Sequence, residues 1–298
     1  MMEKKLLVII VTYNAMNWVK RCFESLRMST VVNDIFVVDN GSIDGTQDYI
    51  KNHFPDVIFN QSKANLGFGR ANNIGLQYAL KNGYDYVYLL NQDAWVMPNT
   101  FERMMALHEK NPEYGILSPL QMQANLENID KNFLINLNSQ GVTVLEDILM
   151  SSKEAIVEVE MTMAAHWLIS RKCLETVGGF SPSFPHYGED NNYADRVIYH
   201  GLKNGIVLNA KAVHDRAYRQ QTRKHYIYAT YINSIMNMSF IKKTVKYSLW
   251  RFYFHSLKNV FVYKSLLPLK YVYRLTYDIK SVKHYREVSK GNGAFISL

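Results

Sequence analysis

The first 115 residues alternate between short apolar runs and longer segments with helical spacing. The runs LLVIIVTYN, DIFVVDN, VIFNQ and YDYVYLLNQD each predict a strand that is buried on both faces. The segments between them, WVKRCFESLRMS, GTQDYIKNHF, GRANNIGLQYALKNG and NTFERMMALHEKNP, predict helices, the third ending at Gly83 and the fourth capped by Asn99. This alternation predicts an α/β fold with a mostly parallel sheet flanked by helices.

The pattern changes after Gly115. INLNSQGVTVLED and AIVEVEM are typical of antiparallel strands, and AAHWLISRKCLETVGGF predicts a short strand or helix followed by a helix that ends at Gly178 and Gly179. GEDNNYADRVIYHG predicts a helix with acids in its first turn, and NGIVLNAKAVHD predicts a strand. From Arg216 onward the chain is rich in tyrosine and lysine and has a helical pattern throughout.

Charge is distributed unevenly along the chain. Residues 1–215 carry 18 Lys and Arg against 24 Asp and Glu, a net of −6, whereas residues 216–298 carry 16 against 2, a net of +14. The division predicts an acidic body, with halves at 1–115 and 116–215, and a basic region that contacts something anionic. Aromatic and basic residues at helical spacing suit an anionic membrane surface, with nucleic acid or a solvated basic face as alternatives.

Cysteine content and hydropathy limit the compartment. The two cysteines, Cys22 and Cys173, provide neither a disulfide framework nor zinc-ligand spacing, which favours a reducing compartment. The opening MMEKKLLVIIVTYN predicts a buried first strand rather than a signal peptide. No run approaches the roughly 18 consecutive apolar residues that indicate a membrane-spanning helix.

Polar residues follow three of the predicted strands, at the point where each strand ends. They are Thr12, Tyr13 and Asn14 after the first, Asp39, Asn40 and Ser42 after the second, and Asn91, Gln92 and Asp93 after the fourth. Turns are polar, which would explain any one set alone. Ligands of such sheets bind outside the carboxyl ends of the strands, so three sets together favour a binding site there.

An ordered series of motifs extends over roughly residues 5–240: VTYN, VVDNGSIDGT, NLGFGRANNIG, LLNQDA, GGFSPSF, GEDNN and AVHD. The series resembles the family 2 glycosyltransferases, and in particular their rhamnosyltransferase-like branch. The resemblance implies a GT-A fold, with a small antiparallel acceptor-side part and a helical C-terminal tail beside the parallel nucleotide-binding sheet. It also implies a nucleotide-sugar donor, a divalent cation (Mg²⁺ or Mn²⁺) and inversion at the anomeric carbon.

The resemblance implies a role for each motif on the donor side. Thr12, Tyr13, Asn14 and Asp39 would contact the nucleoside, and Asn65, Gly67, Arg70, Asn91 and Gln92 would lie against the nucleotide sugar. From the residues alone, Asp39 could equally cap an Asx turn. Arg70 lies in the first turn of a predicted helix, where the helix dipole disfavours a cation unless an anion binds there.

The metal and the general base are also implied by the resemblance. Asp93 matches the last acid of the family's metal-binding motif, in which Asn91 replaces the first acid, and His214 would lie near the metal, although a lone histidine is more often structural. Asp190 would be the general base, and Glu189 a positioning or alternative base. The helix dipole alone would also account for acids at a helix start. The family often has a further acid two residues after the general base, and this chain has Asn192 at that position.

On the acceptor side, the resemblance implies that His166 and Trp167 shape a sugar pocket and that Gly179 and Phe180 belong to a turn. Packing in the core is the alternative for the His–Trp pair. The predicted function is transfer from a UDP- or dTDP-sugar to a glycan or lipid-linked glycan in surface polysaccharide synthesis. The resemblance places the enzyme in the cytoplasm on the inner face of the membrane, with no nucleic-acid partner.

Two other functions stay open. A non-catalytic nucleotide-sugar-binding protein would be consistent with Asn91 in place of an acid. A nucleotidyltransferase could use a similar sheet, although VTYNAMNW lacks the basic glycine-rich loop that such an enzyme would carry after its first strand.

Overall fold

The computed structural model describes residues 4–140, 156–216, 222–242 and 249–296. In the first half, β1 (Leu6–Thr12), α1 (Val19–Arg27), β2 (Asp34–Asp39), α2 (Thr46–His53), β3 (Ile58–Gln61), α3 (Phe68–Lys81), β4 (Tyr86–Asn91), β5 (Ala94–Val96) and α4 (Thr100–Lys110) follow one another. The next elements are β6 (Tyr114–Met122), α5 (Lys131–Asn138), β7 (Ile156–Val159), β8 (His166–Ser170), α6 (Arg171–Val177), α7 (Glu189–Tyr199) and β9 (Lys203–His214). Three helices complete the order: α8 (Arg223–Ser239), α9 (Leu249–Tyr263) and α10 (Leu267–Val288).

One mixed sheet contains all of these strands, in the order β3-β2-β1-β4-β8-β6-β9-β5, with β7 also paired to β9. β3, β2, β1 and β4 are mutually parallel. β8 runs antiparallel to β4 and β6, and β5 and β7 run antiparallel to β9. The predicted α/β class and its parallel nucleotide-binding half are confirmed, and the antiparallel part continues the same sheet.

Apolar side chains on both faces of the sheet explain the unbroken apolar run of β1. Leu6, Val8 and Ile10 pack on one side with residues of α1 and α4. Leu7 and Ile9 pack on the other side with residues of α3 and α6. A strand covered on both sides has no polar face, so its sequence does not alternate.

The second half of the chain differs from the sequence prediction in two places. The segment INLN lies in α5 instead of a strand, because Asp130 caps a helix through the N–H of Phe133, and Phe133 and Leu137 are buried. The rest of that predicted strand, 141–147, lies outside the described residues. β6 was not predicted: all nine of its residues are buried, and Pro119 within it argues against a strand on sequence grounds.

The C-terminal helices form a unit of their own and also contact the body. α8, α9 and α10 pack around Tyr231, Phe252 and Leu275, and the predicted helical character of this region is confirmed for the described residues. Beyond α10 the chain returns to the body, where the N–H of Gly179 donates to the Ala294 carbonyl at 2.7 Å. Within the described ranges, none of the helices combines the length and the apolarity needed to cross a bilayer.

Helix α3 approaches β1 closely at Gly75, and this contact can be tested by stability. A Cβ at position 75 would lie 2.7 Å from Cδ1 of Ile9. Alanine normally stabilises a helix interior relative to glycine, by roughly 0.5–1 kcal/mol. Here we expect Gly75→Ala to lower the free energy of unfolding in urea by about 1–2 kcal/mol, because the methyl group overpacks the interface.

Gln77→Ala, at an exposed position two residues further along α3, is the control and should change stability by less than about 0.5 kcal/mol. A Gly75→Ala protein more stable than the native one would show that α3 does not lie this close to β1.

Candidate active site

The parallel register brings the predicted polar sets to one edge of the sheet. Thr12 pairs with Asp39 across β1 and β2, and Val11 pairs with Asn91 across β1 and β4. The residues that follow each strand therefore emerge side by side. The structure thus brings the three polar sets together at one edge, as the strand ends predict.

Asp39 is fully buried at this edge and accepts five hydrogen bonds. Its Oδ1 accepts from the hydroxyls of Thr12 (2.9 Å) and Ser42 (2.5 Å), and its Oδ2 accepts from Gln47 Nε2 (2.8 Å) and from the N–H groups of Gly41 and Ser42 (3.1 and 3.0 Å). The carboxylate is thus saturated by the protein, and Thr12 is equally buried. Both residues form the floor of the edge, and the N–H bonds of Gly41 and Ser42 to Asp39 make the Asx-type turn that was the alternative for it; their contact with a nucleoside stays a prediction.

Tyr13 and Asn14 lie above this floor and face outward. The Tyr13 N–H donates to Gln92 Oε1 at 2.7 Å, and Gln92 Nε2 donates back to the Tyr13 carbonyl at 3.2 Å. Asn14 adopts a left-handed φ of 52° and accepts from the N–H of Ile43 at 3.0 Å. The Tyr13 ring is 47% exposed, so its backbone is fixed while its ring stays available for stacking. Gln92 therefore serves to position Tyr13.

The loop before α3 is fixed by asparagines and requires a glycine. Asn65 Oδ1 accepts from the Gly67 N–H at 2.9 Å, and the Asn40 side chain bonds Leu66 N at 3.2 Å and the Gly67 carbonyl at 3.4 Å. Gly67 has φ +79°, and a Cβ there would lie 2.7 Å from the Pro185 carbonyl oxygen. The segment that leads into α7 thus lies directly against this loop.

Arg70 lies exposed in the first turn of α3, as predicted. Within the described residues, its guanidinium makes no hydrogen bond or ion pair with another side chain. An unpaired cation beside a helix N-terminus is available to an anionic ligand.

Pairing of β5 with β9 places His214 beside Asp93. His214 Nε2 lies 3.4 Å from Asp93 Oδ1, and Arg216 Nε donates to His214 Nδ1 at 3.1 Å. Burial alone would raise the pKa of Asp93. The hydrogen bond and charge of His214 and the charge of Arg216 lower the pKa by more than burial raises it, so the carboxylate stays ionised. Sequence reasoning missed Arg216, although its position two residues after His214 was a usable signal.

Asp93 is the main candidate ligand for a divalent cation at this site. Among the described residues, no three His, Cys, Asp or Glu side chains cluster as a metal site. One ionised carboxylate suits Mg²⁺ or Mn²⁺ when substrate phosphates supply further ligands. His214 fits as a second ligand only if Arg216 releases Nδ1, because that hydrogen bond occupies Nδ1 while Nε2 faces Asp93. The pair fits a cation that binds together with a diphosphate.

His166 and Trp167 lie in the core behind the site. The Tyr88 hydroxyl donates to His166 Nδ1 at 2.9 Å, and Nε2 donates to the Val213 carbonyl at 3.0 Å. Burial lowers the pKa of His166 to about 3, so the ring is neutral. Trp167 donates to the Thr162 carbonyl at 3.2 Å. Both side chains are fully buried, which favours the packing alternative, and their role beside a sugar stays a prediction.

Gly179 and Phe180 form a closed turn. The Asn73 side chain accepts from the Phe180 N–H at 2.7 Å and donates to its carbonyl at 2.9 Å, and the Phe180 ring is buried. A Cβ at Gly179 would lie 2.6 Å from Asn73 Oδ1. The turn connects α3 to the end of α6, and its predicted place on the acceptor side stays a prediction.

Glu189 and Asp190 begin α7 close to the start of α3, since a Cβ on Gly69 would lie 3.8 Å from Glu189 Cβ. Burial raises the pKa of Asp190, while hydrogen bonds from Asn191 and from the backbone of Ala164 act in the opposite direction. Burial, and then the charge of Asp190, raise the pKa of Glu189. In the described part of the chain, Glu189 Oε2 is buried without a hydrogen-bond partner, so the proton of the pair is better held by Glu189.

The segment before β8 connects the end of β4, Arg216 and the acid pair of α7. The Ala165 carbonyl accepts from the Asn91 N–H at 3.1 Å, and the backbone of Ala164 faces the carboxyl of Asp190. Arg216 Nη2 lies 2.9 Å from the Met163 sulfur. Residues 163–165 therefore contact the strand end, the acid pair and the basic residue beside His214.

Tyr187 is a second residue that sequence reasoning missed. It has a left-handed φ of 67°, which is strained for a residue with a side chain, and it is 48% exposed directly before Gly188. Its ring packs on His186 with centroids 3.9 Å apart, and the Tyr228 hydroxyl donates to the His186 carbonyl at 2.9 Å. The sequence FPHYG does not predict the left-handed backbone of Tyr187, because tyrosine rarely adopts that conformation.

Comparison with known proteins agrees with this architecture. Residues 7–130 match the sequence model of the family described as glycosyl transferase family 2. The chain is 25% identical to the low-salt glycan biosynthesis hexosyltransferase Agl10 of Haloferax volcanii over 232 residues, which cover 76% of this chain and 72% of that one. It is 25% identical to an N-acetylglucosaminyl-diphospho-decaprenol L-rhamnosyltransferase of Mycobacterium tuberculosis, over 71% of this chain and 76% of that protein.

A solved structure shares the fold. The crystal structure of GalNAc-T7 with UDP, GalNAc and Mn²⁺ superposes with a TM-score of 0.57 at 16% sequence identity. The superposition covers 95% of this chain, which spans 58% of the length of that one. The predicted enzyme class, a glycosyltransferase, is confirmed by the family match and the relatives. Residues 7–130 thus resemble glycosyl transferase family 2, and the chain has the GT-A type of fold.

Proposed function

We propose that this protein transfers a hexosyl or deoxyhexosyl group from a nucleoside diphosphate to a hydroxyl of a glycan or lipid-linked glycan, with inversion. The observation that carries the proposal is the ionised Asp93 beside His214 and Arg216, joined through residues 163–165 to the acid pair of α7. A strand-end carboxylate beside an imidazole and a guanidinium suits a diphosphate and its cation. A carboxyl group with a raised pKa suits proton removal from a hydroxyl.

The donor would lie along the carboxyl edge of the sheet. The exposed Tyr13 ring, held in place by Gln92, offers a stacking surface for a base, and Asn14 borders it. Arg70 offers a free cation for the diphosphate. The UDP in the GalNAc-T7 structure supports a uridine donor, and the L-rhamnosyltransferase relative supports a dTDP-deoxyhexose as the second candidate.

Asp190 would be the general base. It removes the proton as the acceptor hydroxyl attacks the anomeric carbon from the face opposite the diphosphate, whose bond to that carbon breaks. Glu189, buried and neutral, keeps its proton and leaves Asp190 as the ionised member of the pair. Two carboxyls whose pKa values are separated by their surroundings often divide roles in this way.

Asp93 would hold Mg²⁺ or Mn²⁺, with His214 as a further ligand once Arg216 has released it. The bound cation would neutralise charge on the departing diphosphate. Arg70 and Arg216 would add the fixed positive charge of the protein itself to the same diphosphate. The Mn²⁺ in the GalNAc-T7 structure supports a divalent cation in this fold.

We further propose that residues 1–215 are the catalytic domain and that the basic region 216–298 keeps the enzyme on the cytoplasmic face of an anionic membrane. The net charge of +14 in the basic region supports this location. The relative whose printed name includes a diphospho-decaprenol supports a lipid-linked acceptor.

Asp93→Ala should remove the metal dependence of nucleotide binding. In calorimetric titrations of the native protein with UDP, we expect Mn²⁺ to raise the affinity by about tenfold or more, and we expect no gain in the variant. Asp48→Ala, which removes an exposed acid of α2, is the control and should behave as the native protein does. Equal affinity of the native protein with and without Mn²⁺ would remove Asp93 from the metal site.

Asp190→Asn should reduce kcat by about 10²–10⁴-fold while nucleotide affinity is retained, because the variant lacks the base but keeps the shape. Glu189→Gln should retain most of the activity, since glutamine replaces a neutral carboxyl. Transfer would be measured with the nucleotide sugar that a thermal-shift screen with Mn²⁺ identifies. An inactive Glu189→Gln beside a normal Asp190→Asn would reverse the two roles, and no turnover of any nucleotide sugar would favour a binding protein.

The pH dependence follows from the same pair. Asp190 acts when ionised, and burial raises its pKa, so kcat/KM should fall on acidification at a pH above the usual aspartate value of about 3.9. Glu189→Gln should leave this acid limb in place if Glu189 is neutral. A limb that moves to lower pH in that variant would show that Glu189 is ionised and repels the charge on Asp190.

A further inference from the structure

Helix α9 has two opposite faces with different surroundings. Phe252, Ser256 and Asn259 are buried and form the face turned to α8 and α10. The other face carries Trp250, Phe254, Leu257 and Phe261, which we call the outer stripe. These four side chains are 81%, 74%, 53% and 80% exposed.

The spacing of the outer stripe places it on a single side of the helix. Its members are separated by four, three and four residues, so at about 100° per residue they fall within an arc of roughly 60°. Single exposed apolar residues are ordinary, but a contiguous patch of large ones marks an interaction site. The exposed Val262 and Leu266 extend the patch toward the turn into α10.

The charges around the outer stripe indicate what covers it. Residues 249–277 contain no aspartate or glutamate. The exposed cations Arg251 and Lys258 lie along one side of the stripe by helical spacing, and the exposed Lys264 and Lys270 follow α9 in the chain. Aromatic residues beside lysine and arginine are the composition of helices that lie at an anionic lipid surface. An acidic protein partner would also match this charge. The stripe projects outward from the helix, and a lipid surface can deform around projecting side chains, so a membrane is the better match.

The dimensions of α9 exclude a spanning role for it. Its 15 residues give a length of about 22 Å at 1.5 Å per residue, short of the roughly 30 Å of hydrocarbon in a bilayer. Its buried face is occupied by the neighbouring helices. A helix with these properties lies along the interface, with the apolar side inserted and the cations at the headgroups.

We propose that α9 anchors the protein to an anionic membrane by inserting the outer stripe among the lipid headgroups. The unit that carries α9 also contacts the start of α7, because a Cβ on Gly188 would lie 3.0 Å from Ile232 of α8, and Tyr228 of α8 bonds the His186 carbonyl. Anchoring therefore fixes the height of Asp190 above the lipid. This last consequence rests on the proposed sugar transfer, whereas the anchor rests only on the proposed membrane location, which it deepens.

The test uses the full chain and vesicles of phosphatidylcholine with or without phosphatidylglycerol. We expect the native protein to float with the anionic vesicles and its tryptophan fluorescence to shift to the blue, since Trp250 is the most exposed of its four tryptophans. Trp250→Phe should still float but lose most of the shift. The triple variant Trp250→Gln, Phe254→Gln, Phe261→Gln should partition roughly a thousandfold less, at about tenfold for each of the three inserted side chains.

Matched controls separate the stripe from general effects. Val32→Gln with Ile135→Gln removes two exposed apolar residues of the body and should leave flotation unchanged. Arg251→Gln with Lys258→Gln should weaken flotation only on anionic vesicles and mainly at low salt. Circular dichroism of the triple variant should match that of the native protein, because the stripe makes no contribution to the core.

The outcomes distinguish this inference from the proposed function. Native protein that does not float with anionic vesicles, or a triple variant that floats as well as the native protein, would overturn the anchor. A native dimer in sedimentation that the triple variant lacks, together with no flotation, would assign the stripe to a second copy instead. Calorimetry with UDP and Mn²⁺ on the same samples tests the donor site, so loss of nucleotide binding with intact flotation would count against the proposed function alone.

Discussion

The buried carboxylate of Asp39 is the interaction on which the ligand-binding edge depends. It holds the end of β1 through Thr12, the turn after β2 through Ser42, and the start of α2 through Gln47. Without it, several buried donors would lose their acceptor, which costs about 1–3 kcal/mol for each group left unpaired. Tyr13 and Asn14 follow Thr12 directly, so the buried carboxylate of Asp39 also fixes where these two residues emerge from the sheet.

The sequence predicted the parallel half well because its signals are local. Each strand is an unbroken apolar run and each helix has its own spacing and ends, so no information from distant segments was needed. The convergence of the polar sets followed from a general property of parallel sheets. The second half depends on contacts between distant segments. β6 contains Pro119, and INLN is helical because Asp130 caps it.

Burial of polar residues could not be predicted for the same reason. Asp39, His166 and Trp167 are polar or amphipathic, and whether such a side chain faces a ligand or the core depends on partners such as Gln47 and Val213. His214 lies beside Asp93 because β5 pairs with β9, a contact between residues more than a hundred positions apart. The order of the motifs suggested that His214 lies near Asp93. The contact of Arg216 with His214 and the strained backbone of Tyr187 could be found only in the structure.

The hydrogen bond between Gly179 and Ala294 has a consequence for the order of events during synthesis. It joins segments more than a hundred residues apart, and Phe295 of the same segment covers the buried guanidinium of Arg196 in α7. Chains generally fold from the N-terminal side as they emerge from the ribosome. The sheet edge that would receive the nucleotide can therefore form early, while α7 waits for a partner made much later. The acid pair at the start of α7 would thus be the last part of the candidate site to be secured.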